Sequence, residues 1–127
     1  MGMHTVGLDA LLMDIDNEAQ RVERNGDAAV LAGAAVVAKQ MVTEAPKRTT
    51  GLAKSITVSE VKRNARGDRY AEVGPEGTNS RGERYETIGY TLEYGRSDTP
   101  PNPFMTRAIK KSKLAVSNAM IAELAKD

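Results

Sequence analysis

The stretch Gly95-Arg96-Ser97-Asp98-Thr99-Pro100-Pro101-Asn102-Pro103-Phe104 is one that no helix or strand can run through. Gly95 admits a positive φ that a Cβ would oppose, and Pro100-Pro101 holds the backbone in an extended, polyproline-like path without amide donors. Asn102 precedes a proline and so favours the β region, the geometry of an N-cap. Pro103 suits a first helical position, where a missing N–H costs nothing. A helix is therefore expected from Pro103 to about Ala125, with Met105, Ala108, Ile109, Ala115, Val116, Ala119, Met120 and Leu124 on one side. Phe104, the only phenylalanine, should anchor it.

Upstream of this stop, Leu8, Leu11, Leu12 and Ile15 recur at helical spacing with acids opposite, which predicts a first helix from residue 6 to about residue 24. Asp14, Asp16 and Glu18 alternate but lack the Gly and terminal Glu of a calcium loop, and read as a solvated face. Asn25-Gly26-Asp27 is either a break or a kink in one long helix. Leu31, Ala34, Ala35, Ala38, Met41, Val42 and Ala45 then follow at steps of three and four. Their Ala-rich face, with Gly33 beside it, permits close approach of another helix or of a sheet. Pro46 ends this helix.

Beyond Lys47-Arg48-Thr49-Thr50-Gly51 and Leu52, Ile56 and Val58 alternate with polar residues, predicting a strand over 53–62. Val61 is out of phase, which implies a bulge or a strand end near Glu60. Gly67-Asp68 has turn chemistry, so Tyr70-Ala71-Glu72-Val73 should return antiparallel and complete a hairpin with a charged tip at 63–69. Arg66-Gly67-Asp68 spells a cell-adhesion tripeptide, a string short enough to arise by chance. Residues 75–83 have no aliphatic side chain and read as an exposed, mobile loop. Tyr90, Leu92 and Tyr94 alternate as in a strand, whereas Tyr85, Ile88 and Leu92 fit a short helix; a third strand within 87–94 is expected. The fold class is α+β: N-terminal helices and a C-terminal helix on a small antiparallel sheet. One domain covers 1–127, helical over 6–45, hairpin and loop over 52–95, and helical again over 103–125.

Aromatic content of 4% with no Trp means a core of small and aliphatic side chains. Without Cys there is no disulfide, thiolate zinc site or cysteine nucleophile. His4, the only histidine, lies at the N-terminus, so a Ser-His-acid arrangement has no credible members. Gly74, Gly77 and Gly82 lack the Gly-Lys-Ser/Thr of a phosphate loop, and Glu83, Glu86 and Glu93 show no acid–base spacing. We therefore expect no catalysis, no cofactor, no metal and no small-molecule substrate. The start lacks the pattern of an export signal and no apolar run reaches membrane-spanning length, so no membrane partner is expected.

Such a chain works through its surfaces. Residues 1–45 carry seven acids and three bases, net −4, and 46–127 carry fifteen bases and ten acids, net +5. Solvated faces that happen to differ explain this most simply, but opposite charge on two parts of one subunit also suits head-to-tail stacking of copies. The candidate subunit or partner interface comprises Arg63, Arg66 and Arg69 at the hairpin tip with Glu76, Asn79, Arg81, Glu83 and Tyr85 on or beside the loop. Arg107, Lys110, Lys111 and Lys113 form a basic band on the last helix that could face a partner or DNA in a lumen. The alternative is a small nucleic-acid-binding protein using the hairpin tip and this band. The net charge of +1 and the lack of a base-reading motif weigh against it.

Three signals in order carry a family resemblance. They are Ala45-Pro46 with Thr50-Gly51-Leu52 and Ser55-Ile56, then Leu92-Glu93-Tyr94-Gly95, then Pro103-Phe104-Met105 with Ala108. The chain resembles, over roughly residues 6–124, the tail-completion or head-to-tail joining family of tailed bacteriophages and prophages, often described as minor tail components. Pro46, Gly51, Leu52, Glu93, Gly95, Pro103 and Phe104 match its structural motif. The chain departs from it at Ile88-Gly89-Tyr90-Thr91, where the family tends to a more helical run, and at Arg96, where it usually has Thr. The resemblance implies a structural protein of the virion neck or tail, made in the bacterial host cytoplasm during assembly. It implies a homo-oligomeric ring that meets the tail-terminator and head-connector proteins, with DNA passing through its lumen.

Overall fold

The computed structural model describes residues 4–7, 19–47 and 50–126. Its elements are β1 (His4–Gly7), α1 (Ala19–Glu44), α2 (Thr50–Lys54), β2 (Ile56–Val58), β3 (Lys62–Arg63), β4 (Arg69–Pro75), α3 (Tyr85–Tyr94) and α4 (Phe104–Leu124). The architecture is α+β, with helices against a small antiparallel sheet.

β4 is the central strand. β1 pairs with one edge, His4 opposite Val73 and Gly7 opposite Tyr70. β2 and β3 share the other, with Val58 opposite Val73 and Lys62 opposite Tyr70. Between them the ladder breaks: the Ser59 N–H reaches Glu72 O at 2.9 Å, and Ser59 Oγ accepts the Glu72 N–H at 2.9 Å. This is the irregularity that the phase of Val61 implies. Arg69, Ala71, Val73 and Pro75 point to the buried side of the sheet, while Tyr70 and Glu72 are half-exposed on the other.

α1 packs on the sheet and on the antiparallel α4. Ala29, Val30, Ala34, Val37 and Met41 of α1 join Leu52, Ala71, Val73, Phe104, Met105, Ala108 and Met120 in the core. Gly33 sets the closeness of the helix pair, since a Cβ there would lie 2.9 Å from the Met120 thioether. The two ends of the pair are tied by polar contacts. Asn25 Nδ2 donates to Lys126 O at 2.5 Å, and Glu44 bonds Arg107 and Lys111 at the other end.

Several expectations are corrected. Residues 4–7, which overlap the start of the predicted first helix, are a strand completing the second edge of β4; the remainder of that prediction up to residue 18 lies outside the described residues. Of the two readings of Asn25-Gly26-Asp27, one long helix is the one found, since α1 runs unbroken through it. Gly26 is there because the Arg69 guanidinium lies on it, with Cζ 2.7 Å from where a Cβ would stand. The strand predicted over 53–62 shortens to β2 and β3, because residues 50–54 form a helical turn that Ser55 Oγ closes by donating to Leu52 O at 2.6 Å. The expected third strand is helix α3: its inward residues are Gly89 and Glu93, four apart, flanked by half-buried Ile88 and Leu92. α4 begins at Phe104 with Pro103 as N-cap, one residue later than predicted.

Candidate partner interface

Glu93 explains the motif around the proline stop. Only 4% exposed, its carboxylate lies at the N-terminus of α4. Oε1 accepts the Met105 N–H at 3.0 Å, and Oε2 accepts the Thr106 N–H at 3.2 Å together with the Thr106 hydroxyl. An anion here satisfies helix-end donors that have no intrahelical partner and complements the helix dipole. The intervening chain is folded to permit this. Gly95 has φ of 73°, and a Cβ on it would meet Pro101 N and Thr99 O at 2.8 Å. Arg96 and Thr99 exchange backbone hydrogen bonds at 2.9 and 3.0 Å, and the Asn102 N–H returns to Leu92 O at 2.6 Å. Gly51 has an equally local reason, since a Cβ there would collide with the Tyr85 hydroxyl.

The hairpin tip and the loop are built alike. Asn64-Ala65-Arg66-Gly67-Asp68 and Asn79-Ser80-Arg81-Gly82-Glu83 repeat one pattern, Asn-x-Arg-Gly-acid. Asn64 Oδ1 accepts the N–H groups of Arg66 and Asp68 at 2.9 and 3.0 Å. Asn79 Oδ1 accepts those of Arg81 and Glu83 at 2.9 and 3.0 Å. Each Asn also donates its side-chain amide to the terminal acid, at 3.2 Å to Asp68 and 3.0 Å to Glu83. Gly67 and Gly82 supply the positive φ, 85° and 81°, that closes each turn. The 75–83 segment is thus an internally bonded turn rather than a featureless loop. The Arg-Gly-Asp string is a by-product of the same turn chemistry, its Asp68 carboxylate held by Asn64 and facing Arg66 Nε at 3.4 Å.

The other residues singled out from the sequence disperse. Arg63 is exposed and donates to Gly67 O at 2.9 Å. Arg69 is only 8% exposed, and its Nε donates to Asp27 Oδ1 at 2.9 Å. Glu76 accepts from the Thr57 hydroxyl at 3.0 Å, and Tyr85 packs half-buried against the core. Of the basic band, Arg107 and Lys111 each lie 3.0 Å from Glu44, whose side chain is 11% exposed, while Lys110 and Lys113 face solvent. Hydrogen bonds from Lys111 and Arg107 hold the Glu44 carboxyl at a pKa of about 2, well below its usual 4.5. The hairpin tip lies by Gly26 and Asp27 and the band by Glu44, ends of α1 separated by about 25 Å at 1.5 Å per residue. They do not form one basic surface.

The outer side of α3 carries what the sequence reading passed over. Tyr90 and Tyr94, 44% and 64% exposed, lie with ring centroids 4.8 Å apart. Beside them runs a groove of about 670 Å³ lined by the half-buried Ile88 and Leu92, by Thr87, Thr91 and Thr99, and by the charged Glu83, Arg84 and Arg96. Arg84 and Thr87 also line an adjoining depression that reaches Tyr90. Exposed tyrosine and arginine beside half-buried apolar side chains is the composition of protein–protein hot spots. Helical spacing of Arg84, Thr87, Thr91 and Tyr94 was the signal that could have found it. Among the described residues no group of three or more His, Cys, Asp or Glu could hold a metal ion, and no helix is long and apolar enough to cross a membrane.

The profile of a family described as "Bacteriophage HK97-gp10, putative tail-component" matches residues 9–95. No match is found among curated proteins or among solved structures.

Proposed function

Because the chain belongs to the HK97-gp10-like family of bacteriophage tail components, we propose that it completes the tail at its head-proximal end as a ring of copies, meeting the tail-terminator and head-connector proteins around the path of the DNA. It acts as a structural part of the virion and not as an enzyme. The observation that carries this reading is the pair of matched Asn-x-Arg-Gly-acid turns, at 64–68 directly before β4 and at 79–83 shortly after it, with a strand about 20 Å long between them. Each turn is held by its own hydrogen bonds, so its shape is set before any partner arrives and little ordering entropy is lost on contact. Contacts at two different ends of one subunit are the kind that close into rings. The dispersal of the basic residues, with Arg69, Arg107 and Lys111 paired within the chain, weighs against the alternative of a nucleic-acid-binding surface.

Charge reversal at both tips, Arg66→Glu with Arg81→Glu, tests the proposal. Deleting 76–83 would also remove the Glu76 N–H bond to Ser55 O, so substitution separates assembly from folding more cleanly. Unfolding temperature should stay unchanged and the yield of joined virions should collapse. An undiminished yield would refute the role of the turns.

A further inference from the structure

We infer that the outer edge of β2 is where two copies of this chain join, strand to strand, about a two-fold axis through Thr57. The contact belongs to the free protein, uses neither of the two turns and does not rest on the ring reading above. Thr57 pairs with Gly74, and on either side of it the Glu76 N–H donates to Ser55 O and the Ser59 N–H to Glu72 O, each at 2.9 Å. Backbone groups alternate in direction along a strand, so the N–H and C=O of Ile56 and Val58 point away from β4. They have no hydrogen-bond partner among the described residues. Such an edge is a template for another strand. What fits it is the same edge turned end for end. With the axis at Thr57, Ile56 faces Val58 of the second copy and Val58 faces its Ile56, and each facing pair exchanges both of its hydrogen bonds. Lys54 and Glu60, equally far from Thr57 along the chain, then face each other on both sides of the axis. Both are exposed, and neither forms an ion pair among the described residues. The other charges of the segment do not oppose this register. Lys62, which feels Glu60 at longer range, is paired with Glu72 at 2.7 Å, and Arg63 falls opposite Gly51. Opposite charges at facing positions stabilise an antiparallel pair.

Three residues of strand bury too little for a stable contact, which takes about 1,200–2,000 Å² in total, and α1 supplies the rest. Ile56 and Val58 lie opposite Pro75 and Val73, so they share the α1 face of the sheet and are half-buried at its rim. α1 lies over β4 and β2. Its Gly33 meets Met120 of α4, and Leu31, Ala35 and Val42 lie about half a turn round from Gly33, on the side away from α4. All three are exposed, Leu31 by 41% and Val42 by 40%. β1 and β2 run parallel on either side of β4 with α1 crossing between them, and the right-handed sense of such connections turns that side of the helix over β2. Joining the two edges therefore sets the two α1 helices side by side with these apolar flanks towards each other. One isologous contact covers both the open edge and the exposed flank.

The full chain has no cysteine, and Thr57 and Ser80 are both exposed. At the axis Thr57 faces its own copy in a non-hydrogen-bonded pair, where Cα atoms are about 4.5 Å apart and a disulfide can form. Thr57→Cys should therefore give a disulfide-linked dimer on mild oxidation, many times faster than Ser80→Cys in the 79–83 turn. Sedimentation of the parent should show a reversible equilibrium between monomer and dimer. Lys54→Glu should weaken it on the order of tenfold by placing like charges opposite each other on both sides of the axis, and Lys54→Glu with Glu60→Lys should restore it. Circular dichroism checks that each variant is folded. A parent chain that stays monomeric at every concentration, a Thr57→Cys chain that links no faster than Ser80→Cys, or a charge exchange that fails to restore association would overturn the inference.

Discussion

Removing the Glu93 carboxylate should be the most damaging polar substitution in this molecule. Glu93→Ala deletes three hydrogen bonds and leaves the Met105 and Thr106 N–H groups without partners at a helix end, Met105 being 1% exposed. A hydrogen bond to a charged group contributes about 1.5–3 kcal/mol, and a buried donor left unpaired costs about 1–3 kcal/mol. These overlap rather than add, and water entering the vacated space recovers part of the loss, so we expect about 3 kcal/mol. For a chain of this size that corresponds to roughly 10 °C in unfolding temperature, a large share of the about 5–15 kcal/mol typical of a domain. Glu93→Gln keeps one acceptor oxygen and should lose about half as much, because the charge and one N–H partner go while the shape stays. Denaturant unfolding followed by circular dichroism measures both, and amide exchange at Met105 and Thr106 should accelerate in each. A Glu93→Ala change below about 0.5 kcal/mol, within the range of ordinary surface substitutions, would refute the claim that this carboxylate caps α4.

Three further outcomes follow from the same structure. Glu44 contributes stability at pH values above its ordinary pKa of 4.5, and that contribution is lost as pH falls from there to about 2, so in acid titrations the parent should lose stability more steeply over this window than Glu44→Gln. Gly51→Ala should destabilise by about 1–3 kcal/mol through collision with the Tyr85 hydroxyl, and a double-mutant cycle with Tyr85→Phe should recover part of it; strict additivity would contradict the contact. Exchanging the pentapeptides of the two turns should leave stability within about 0.5 kcal/mol, whereas Asn64→Ala or Asn79→Ala should each cost about 1 kcal/mol or more, as measured by thermal unfolding.

The long helices were legible because periodic apolar residues and terminal prolines act locally. The run from Leu31 to Ala45, Pro46, and Asn102-Pro103 mark the helices and their ends without reference to the rest of the chain, although the buried face of α1 is turned from the predicted one: Leu31, Ala35 and Val42 are exposed, and Ala29, Val30 and Val37 join Ala34 and Met41 in the core. The failures are where a distant partner decides. β1 is four residues long and is a strand only because the far edge of β4 must be paired. At Gly26 the sequence leaves a break and one long helix open, and only Arg69, forty-odd positions away and lying on it, explains the glycine. In 85–94 the alternating Tyr90, Leu92 and Tyr94 suggested a strand, yet both tyrosines are exposed and the inward positions hold a glycine and a glutamate. Hydrophobic periodicity has no means of marking a buried carboxylate whose purpose is to bond a helix end twelve residues further on. The paired turns were visible in principle, since Asn64-Ala65-Arg66-Gly67-Asp68 and Asn79-Ser80-Arg81-Gly82-Glu83 repeat at a separation of fifteen residues. Their equivalence is plain once the same asparagine bonds appear in both.

The central claim is that several copies of this chain sit together at the end of a tail. Quantitative mass spectrometry of purified tails, with the chain's copy number taken relative to the major tail protein, tests it most directly. A fixed number of copies greater than one per tail is expected, lost together with the head-proximal end when tails are sheared. Tails that join heads normally and contain none of this protein would contradict it.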